Sequence, residues 1–214
     1  MRGLEETQPL FGCELLFYGN QSWTLGRYKS ADEVVRAVPR NKAGQVNASI
    51  ALDKLENVSR EWMEKCAIVM FVSSDLYSNG LNWCFGLARH SARVTVQSVY
   101  RYRTLIESVA SSCIRRTLRH ELGHLFGCAM DKNRSNTTQA LSTHCTNPGC
   151  SMRQTMTLRE LITLSSQEDP RRCFCEQCLQ DMMRFKRSCK IKTATTRKKT
   201  HPIVITNARY CTQH

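Results

Sequence analysis

The sequence predicts an α+β fold: a twisted mixed β-sheet with helices packed against it and a small cysteine-rich part toward the C-terminus. Three observations predict it. Short runs of β-forming residues are interleaved with amphipathic segments through residues 10–100; the longest helical pattern comes after them; and most of the 12 cysteines fall beyond residue 127. With 214 residues, and roughly 100 to 200 residues per domain, the chain has room for one domain and a short appendage. Hydrophobic residues at 41% and charged residues at 23% exclude global disorder.

The elements follow from local pattern. Leu10 to Tyr18 reads as a first buried strand, and Ala31 to Val38 as a short helix stopped by Pro39. Asn47 to Leu52 is ambiguous. Leu52, Leu55, Val58, Trp62 and Cys66 recur at helical spacing, and Cys66 to Val72 is a continuous apolar run suited to a central strand. Ser78, Asn79 and Gly80 mark a turn. Asn82 to Leu87 and Arg93 to Tyr100 read as two further strands, and polar Thr95, Gln97 and Ser98 in the second suggest a sheet edge. A long helix is expected from Thr104 to Phe126, where Ile106, Val109, Cys113, Thr117, His120 and His124 form one stripe. Asp131 to Thr143 is polar and aperiodic, which suggests an exposed insertion. Thr157 to Leu164 and Cys175 to Cys189 predict two more helices, and beyond Lys190 no regular element is expected. The expected organisation is one domain over 1–190, with an upper sheet and helices in 1–127 and a lower part in 128–190, followed by a basic tail at 191–214.

Charge and cysteine usage bound the function. The N-terminal apolar stretch is interrupted by Gly12, Cys13 and Glu14, unlike a secretory leader, and no run reaches the roughly 18 apolar residues of a membrane span. The expectation is a cytoplasmic protein, in which scattered cysteines are metal ligands or reduced core residues more often than disulfides. The formal net charge is +13, and the segment from Arg171 onward holds eleven Lys and Arg against two acids. Such a block suits nucleic acid or an anionic surface, and equally a solvated tail.

His120-Glu121-Leu122-Gly123-His124 is an H-E-x-x-H sequence. Helical residues four apart share a face, so both imidazoles reach one cation while Glu121 lies beside it. Two unpaired imidazoles on the packed stripe, with a carboxylate beside them, would be costly to pack without a metal. A catalytic zinc takes three protein ligands and keeps a position for water. Cys128, Asp131, His144 and Glu160 are the candidates for the third. Gly127 is placed to end the helix in a left-handed turn, from which the chain can return beneath the metal.

Farther on, His144-Cys145, four residues, Cys150, one residue and Met152, then Cys175-Glu176-Gln177-Cys178, resemble the extended signature of the archaemetzincins, zinc metallopeptidases of the metzincin clan. The resemblance covers His120 to Cys178 by motif. It departs from the family in a longer stretch between Gly127 and His144 and a longer gap from Met152 to Cys175. Both lengthen loops, whose closure cost rises slowly with length. The resemblance implies a metzincin-like fold, His144 as the third ligand of a catalytic zinc, Met152 in a turn beneath it, and Val94 to Arg101 as a substrate-facing edge strand.

Four thiolates at Cys145, Cys150, Cys175 and Cys178 also suit a closed tetrahedral structural zinc stapling the C-terminal part, with Cys173 a near alternate for Cys175. Two zinc ions per chain are therefore expected. The expected activity is hydrolysis of peptide or protein substrates, by endopeptidase or aminopeptidase action, with Glu121 as general base. The competing reading is a zinc-ribbon module that binds nucleic acid or protein through its basic C-terminal segment. That reading leaves His120, Glu121 and His124 without a role, and the basic residues show little of the aromatic interleaving that nucleic-acid binding favours.

Overall fold

The computed structural model of the chain describes residues 11, 15–17, 28, 31–63, 66–131, 133–139, 143–193 and 203–206. In chain order the elements are β1 (Leu15–Phe17), α1 (Ala31–Arg36), β2 (Val46–Asn47), α2 (Ala48–Met63), β3 (Ala67–Val72), β4 (Leu76–Ser78), β5 (Leu81–Cys84), β6 (Gly86–Arg89), β7 (Val94–Ser98), α3 (Glu107–Leu125), β8 (Thr137–Thr138), β9 (His144–Cys145), α4 (Leu158–Gln167), α5 (Glu176–Thr193) and β10 (Ile203–Thr206). They form an α+β fold in two units. One draws its described residues from 15–104 and 203–206, the other from 11 and 105–193. No helix among the described residues is long and apolar enough to cross a membrane.

The first unit is built on β3, whose six residues are all buried, as an apolar run of β-formers with both faces covered should be. It lies in a five-stranded sheet of order β1-β10-β3-β7-β6, parallel except for β6, which runs antiparallel to β7. A three-stranded sheet, β2-β4-β5, completes the unit. The segment left ambiguous by its sequence is a helix start. The Asn47 side-chain oxygen accepts from the backbone N–H of Ser49 at 3.0 Å and of Ile50 at 3.1 Å, satisfying donors that α2 cannot satisfy itself. Leu52 and Leu55 of α2 pack into one core with Val34, Met70, Val94 and Val96.

Three expectations are corrected here. The strand expected at 82–87 is two strands in two sheets, broken at Phe85, whose ring meets Trp83 edge-on and stacks on Tyr102. Alternation signals a strand without naming its partner, so the switch of partner at Phe85 left no trace in the pattern. The strand at 94–100, expected at the sheet edge, is internal: β7 pairs with β3 on one side and β6 on the other. Its polar side chains are buried, and the Thr95 hydroxyl donates to the Leu87 carbonyl at 3.0 Å. They look like solvent-facing residues in the sequence because alternation does not reveal that β3 and β6 flank the strand on both sides. Beyond Lys190, where no element was expected, α5 continues to Thr193 and β10 enters the sheet between β1 and β3; residues 194–202 and 207–214 of the basic tail lie outside the described residues.

The second unit is organised by α3. Its buried face carries Cys113, Leu118, Leu122 and Leu125, and Phe11 packs on Phe126 and Phe174 with ring centroids 4.9 and 5.8 Å apart. The helix ends at Gly127, whose φ of 79° turns the chain. Cys128 N–H donates to the Gly123 carbonyl at 2.9 Å and Gly127 N–H to that of His124 at 3.1 Å, the paired bonds of a Schellman cap. The insertion, expected as an aperiodic loop, contains β8, which pairs antiparallel with β9 in the register Thr137 to Cys145 and Thr138 to His144.

Leu55 is fully buried in the first core. We expect Leu55→Ala to cost about 2–5 kcal/mol, the lost transfer energy plus the cavity left behind, read as a lower urea midpoint at unchanged slope.

Candidate metal centres

Two groups of side chains converge in the second unit. His120 and His124, one helical turn apart on α3, meet His144 of β9, with ring centroids 4.8 to 5.1 Å apart. The ligand atoms of the three lie within 4.8 Å of one another. His120 Nε2 and His124 Nε2 are 3.2 Å apart. Tetrahedral zinc with ordinary Zn–N bonds would hold two nitrogens about 3.3 Å apart, so the rings are spaced as ligands of one ion. His120 Nδ1 sits 2.8 Å from the Ser151 carbonyl, which can only accept. The proton is thereby held on Nδ1 and the Nε2 lone pair is left for a metal. Burial, and then the neighbouring His144 ring, push the His120 pKa down to about 3, so the imidazole is neutral, as a ligand must be. Glu121, the next residue along α3, is buried.

The second group is Cys145, Cys150, Cys175 and Cys178. Cys145 Sγ is 3.7 Å from Cys175 Sγ, and Cys150 Sγ is 3.6 Å from Cys178 Sγ. A disulfide would bring sulfurs to about 2.05 Å, whereas tetrahedral zinc with Zn–S bonds of about 2.3 Å separates them by about 3.8 Å. The spacing fits zinc. Backbone N–H groups of Asn147 and Cys175 donate to Cys145 Sγ and Cys150 Sγ, each at 3.4 Å. Cys145 and Cys150 are shifted in opposite directions. Hydrogen bonds from Cys150 and then Cys178 hold Cys145 well below the ordinary thiol range, and the same bond with Cys145 holds Cys150 well above it. A cation held among the four would compensate the charge of their thiolates.

β9 supplies both groups. Consecutive residues of a strand point to opposite faces, so His144 joins the imidazoles while Cys145 joins the thiols. The turn at 150–152 does similar work: Cys150 is in the thiol group, the Ser151 carbonyl holds His120, and Met152 packs on α3 at Gly123. A Cβ added to Gly123 would lie 2.1 Å from Met152 Sδ. Glycine at this position of the H-E-x-x-H segment is what lets the methionine approach.

The remaining ligand candidates are engaged elsewhere. Cys128 Sγ donates to the Cys178 carbonyl at 3.4 Å, Asp131 is exposed and accepts from the Asn133 N–H at 2.9 Å, and Glu160 accepts from the Met156 N–H at 3.1 Å. Cys173 lies outside the thiol group, and burial pushes its pKa up to about 11.

Sequence reasoning missed the charged groups that support both centres. Glu168 accepts from Arg116 Nη1 at 2.5 Å, from Arg119 Nη1, and from the Ser151 hydroxyl at 2.5 Å, while Arg116 Nη2 donates to the Cys150 carbonyl at 2.9 Å. All three charged side chains are at most 3% exposed, so the carboxylate ties α3 to the 150–152 turn with water excluded. A signal existed in part. Arg116 and Arg119 lie four and one residues before His120 on a packed helix, and buried arginines require an acid. Nothing local says that the acid is Glu168.

The family model for Metallo-peptidase family M12 (Reprolysin_5) matches residues 13–183. The archaemetzincin of Methanopyrus kandleri is 30% identical over 141 residues, 66% of this chain and 67% of that protein. The archaemetzincin of Pyrococcus abyssi is 27% identical over 180 residues, 80% of this chain and 79% of that protein. The crystal structure of the Methanopyrus kandleri archaemetzincin superposes with a TM-score of 0.53 at 22% identity, covering 82% of this chain and 96% of that one. This last likeness concerns the fold.

The contact of Gly123 with Met152 is testable by a double-mutant cycle. We expect Gly123→Ala to cost about 1–3 kcal/mol by displacing the thioether. In a Met152→Ala background the same change should cost much less, as read from chemical denaturation of all four proteins.

Proposed function

Because the chain belongs to the archaemetzincin family of zinc metallopeptidases, we propose that it hydrolyses peptide bonds at the centre formed by His120, His124 and His144, with Glu121 as general base. The observation that carries this reading is the convergence of the three imidazoles, with nitrogens spaced for one zinc and the His120 tautomer set by Ser151. Zinc bound there supplies a Lewis acid that acidifies a water and polarises the scissile carbonyl. Glu121 takes the proton from the water as it attacks and passes it to the departing amine. The single turn of helix between His120 and His124 keeps both rings in register, and Ser151 keeps a proton off the ligand nitrogen of His120.

We assign a second, structural zinc to Cys145, Cys150, Cys175 and Cys178, on the strength of the sulfur spacing and the two backbone N–H donors. A thiolate cage needs a reducing compartment, which supports the cytoplasm as the place of action. The histidine centre also favours a peptidase over a nucleic-acid module, for which three gathered imidazoles and a buried glutamate would have no use.

Glu121→Gln should retain its zinc and lose turnover by about a thousandfold or more, in line with removal of a general base. Full activity in that variant rules the mechanism out. An internally quenched peptide with a blocked N-terminus separates endopeptidase from aminopeptidase action, since the latter requires a free amine. The layout of the two centres is checked separately by metal analysis of the purified protein: we expect two zincs per chain, falling to one in His144→Ala. A variant that keeps both zincs removes His144 from the catalytic set.

A further inference from the structure

The segment between Gly127 and His144 carries residues that neither catalysis nor the eight proposed site residues use. Arg134 is the most unusual of them. Its side chain is 6% exposed, and all three of its guanidinium nitrogens are engaged. Nη2 donates to Cys178 Sγ at 3.4 Å, Cys145 Sγ at 3.6 Å and Cys175 Sγ at 3.9 Å; Nε donates to Asn136 Oδ1 at 2.8 Å; and Nη1 pairs with Asp181. Asn136 in turn directs its amide nitrogen at Cys145 Sγ and Cys175 Sγ, at 3.6 and 3.8 Å. Its carbonyl accepts from the Thr146 N–H at 2.8 Å, just after the two-ligand strand β9.

We propose that the insertion is a clamp on the thiolate cage, with Arg134 as the positioning residue that keeps zinc there against the charge of Asp181. The inference rests on the reading of the four cysteines as a zinc site. Four thiolates and one zinc carry two net negative charges. Asp181 lies three residues after Cys178 on α5, hence on the same helical face, and is 9% exposed. A third buried negative charge beside the cage would weaken it, because like charges are poorly screened away from water. The guanidinium stands between the two. Its planar fork can hydrogen-bond a carboxylate through one nitrogen and several sulfurs through another, which an ammonium cannot do as well. Asp181 Oδ2 also accepts from the Ala129 N–H at 3.0 Å, at a residue held at φ 59°. The carboxylate therefore has a structural reason to be there, and the arginine makes it compatible with the thiolates.

The test uses the full chain loaded with two zincs. Zinc transfer to a chromophoric chelator is followed in time, and alkylation of Cys145, Cys150, Cys175 and Cys178 is read by mass spectrometry. Arg134→Met should speed release of the cage zinc about tenfold or more and open the four thiols to alkylation, with release from the histidine centre unchanged. Arg134→Lys should fall between the two. Adding Asp181→Asn to Arg134→Met should slow release again, because it removes the repulsion; a merely structural arginine would show no such rescue. Unchanged release in Arg134→Met, with two zincs bound to the wild type, overturns the clamp while leaving the cage standing. Further loss in the double variant overturns the electrostatic account of it. A wild-type chain that binds one zinc, with the four cysteines alkylated freely, overturns the cage and the clamp with it.

Discussion

The dipeptide His144–Cys145 is the constraint on which the second unit depends. A strand sends successive side chains to opposite faces, so two adjacent residues contribute to two different groups, one of imidazoles and one of thiols. Neither group can form with β9 shifted by one residue, because the slip would exchange histidine for cysteine. β9 is two residues long and pairs with a strand of the same length. So short a ladder has little stability of its own. Its register is held by what the side chains reach on either face.

Buried carboxylates do the complementary work. Glu168 gathers Arg116, Arg119 and the Ser151 hydroxyl, and Asp181 gathers Arg134 and the Ala129 N–H. Each fixes a short irregular segment that apolar packing alone would leave free to repack. The desolvation of such groups is expensive, and a well-packed apolar replacement of the whole network is often no less stable. What an apolar replacement could not supply is direction. The Ser151 carbonyl must face His120 Nδ1 and the Cys150 side chain must face the other thiols, and the bond the Ser151 hydroxyl donates to Glu168 and the one Arg116 donates to the Cys150 carbonyl set both orientations. Stability and geometry are thus carried by different residues: the leucines of α3 supply the first, the charged side chains the second.

How much of this was legible depended on distance along the chain. H-E-x-x-H needs one helical turn, and the helix bearing it was readable from its stripe to within three residues at each end, 107–125 against an expected 104–126. The four cysteines were readable as a set because C-x-x-C is local and the archaemetzincin-like series of residues supplies the rest. Strand identity was readable and strand partnership was not. Thr95 and Gln97 look like edge residues until β6 is seen beside them, and β10 lies more than one hundred residues from β3, its neighbour in the sheet. Arg116 and Glu168 are separated by 52 residues, Arg134 and Asp181 by 47, so a charged residue in the sequence could not be told from a solvated one.

The insertion shows why lengthening a loop need not disturb a centre it leads into. Extra residues raise closure entropy only logarithmically, on the order of 0.6 kcal/mol per doubling of length. That cost is small beside a single buried hydrogen bond to a charged group, worth about 1.5–3 kcal/mol. Here the added segment makes several: Arg134 to Asp181 and to the thiols, Asn136 to two sulfurs, and the pairing of Thr137 and Thr138 with β9. A polar, aperiodic stretch reads as solvent-exposed because nothing in it can bury apolar area. Against the proposed thiolate cage the relation would invert, since the surface to be covered would itself be negative and accept hydrogen bonds. Arg134 and Asn136 would then be the packing residues, and a hydrophobic segment of the same length could not satisfy the sulfurs or separate them from Asp181.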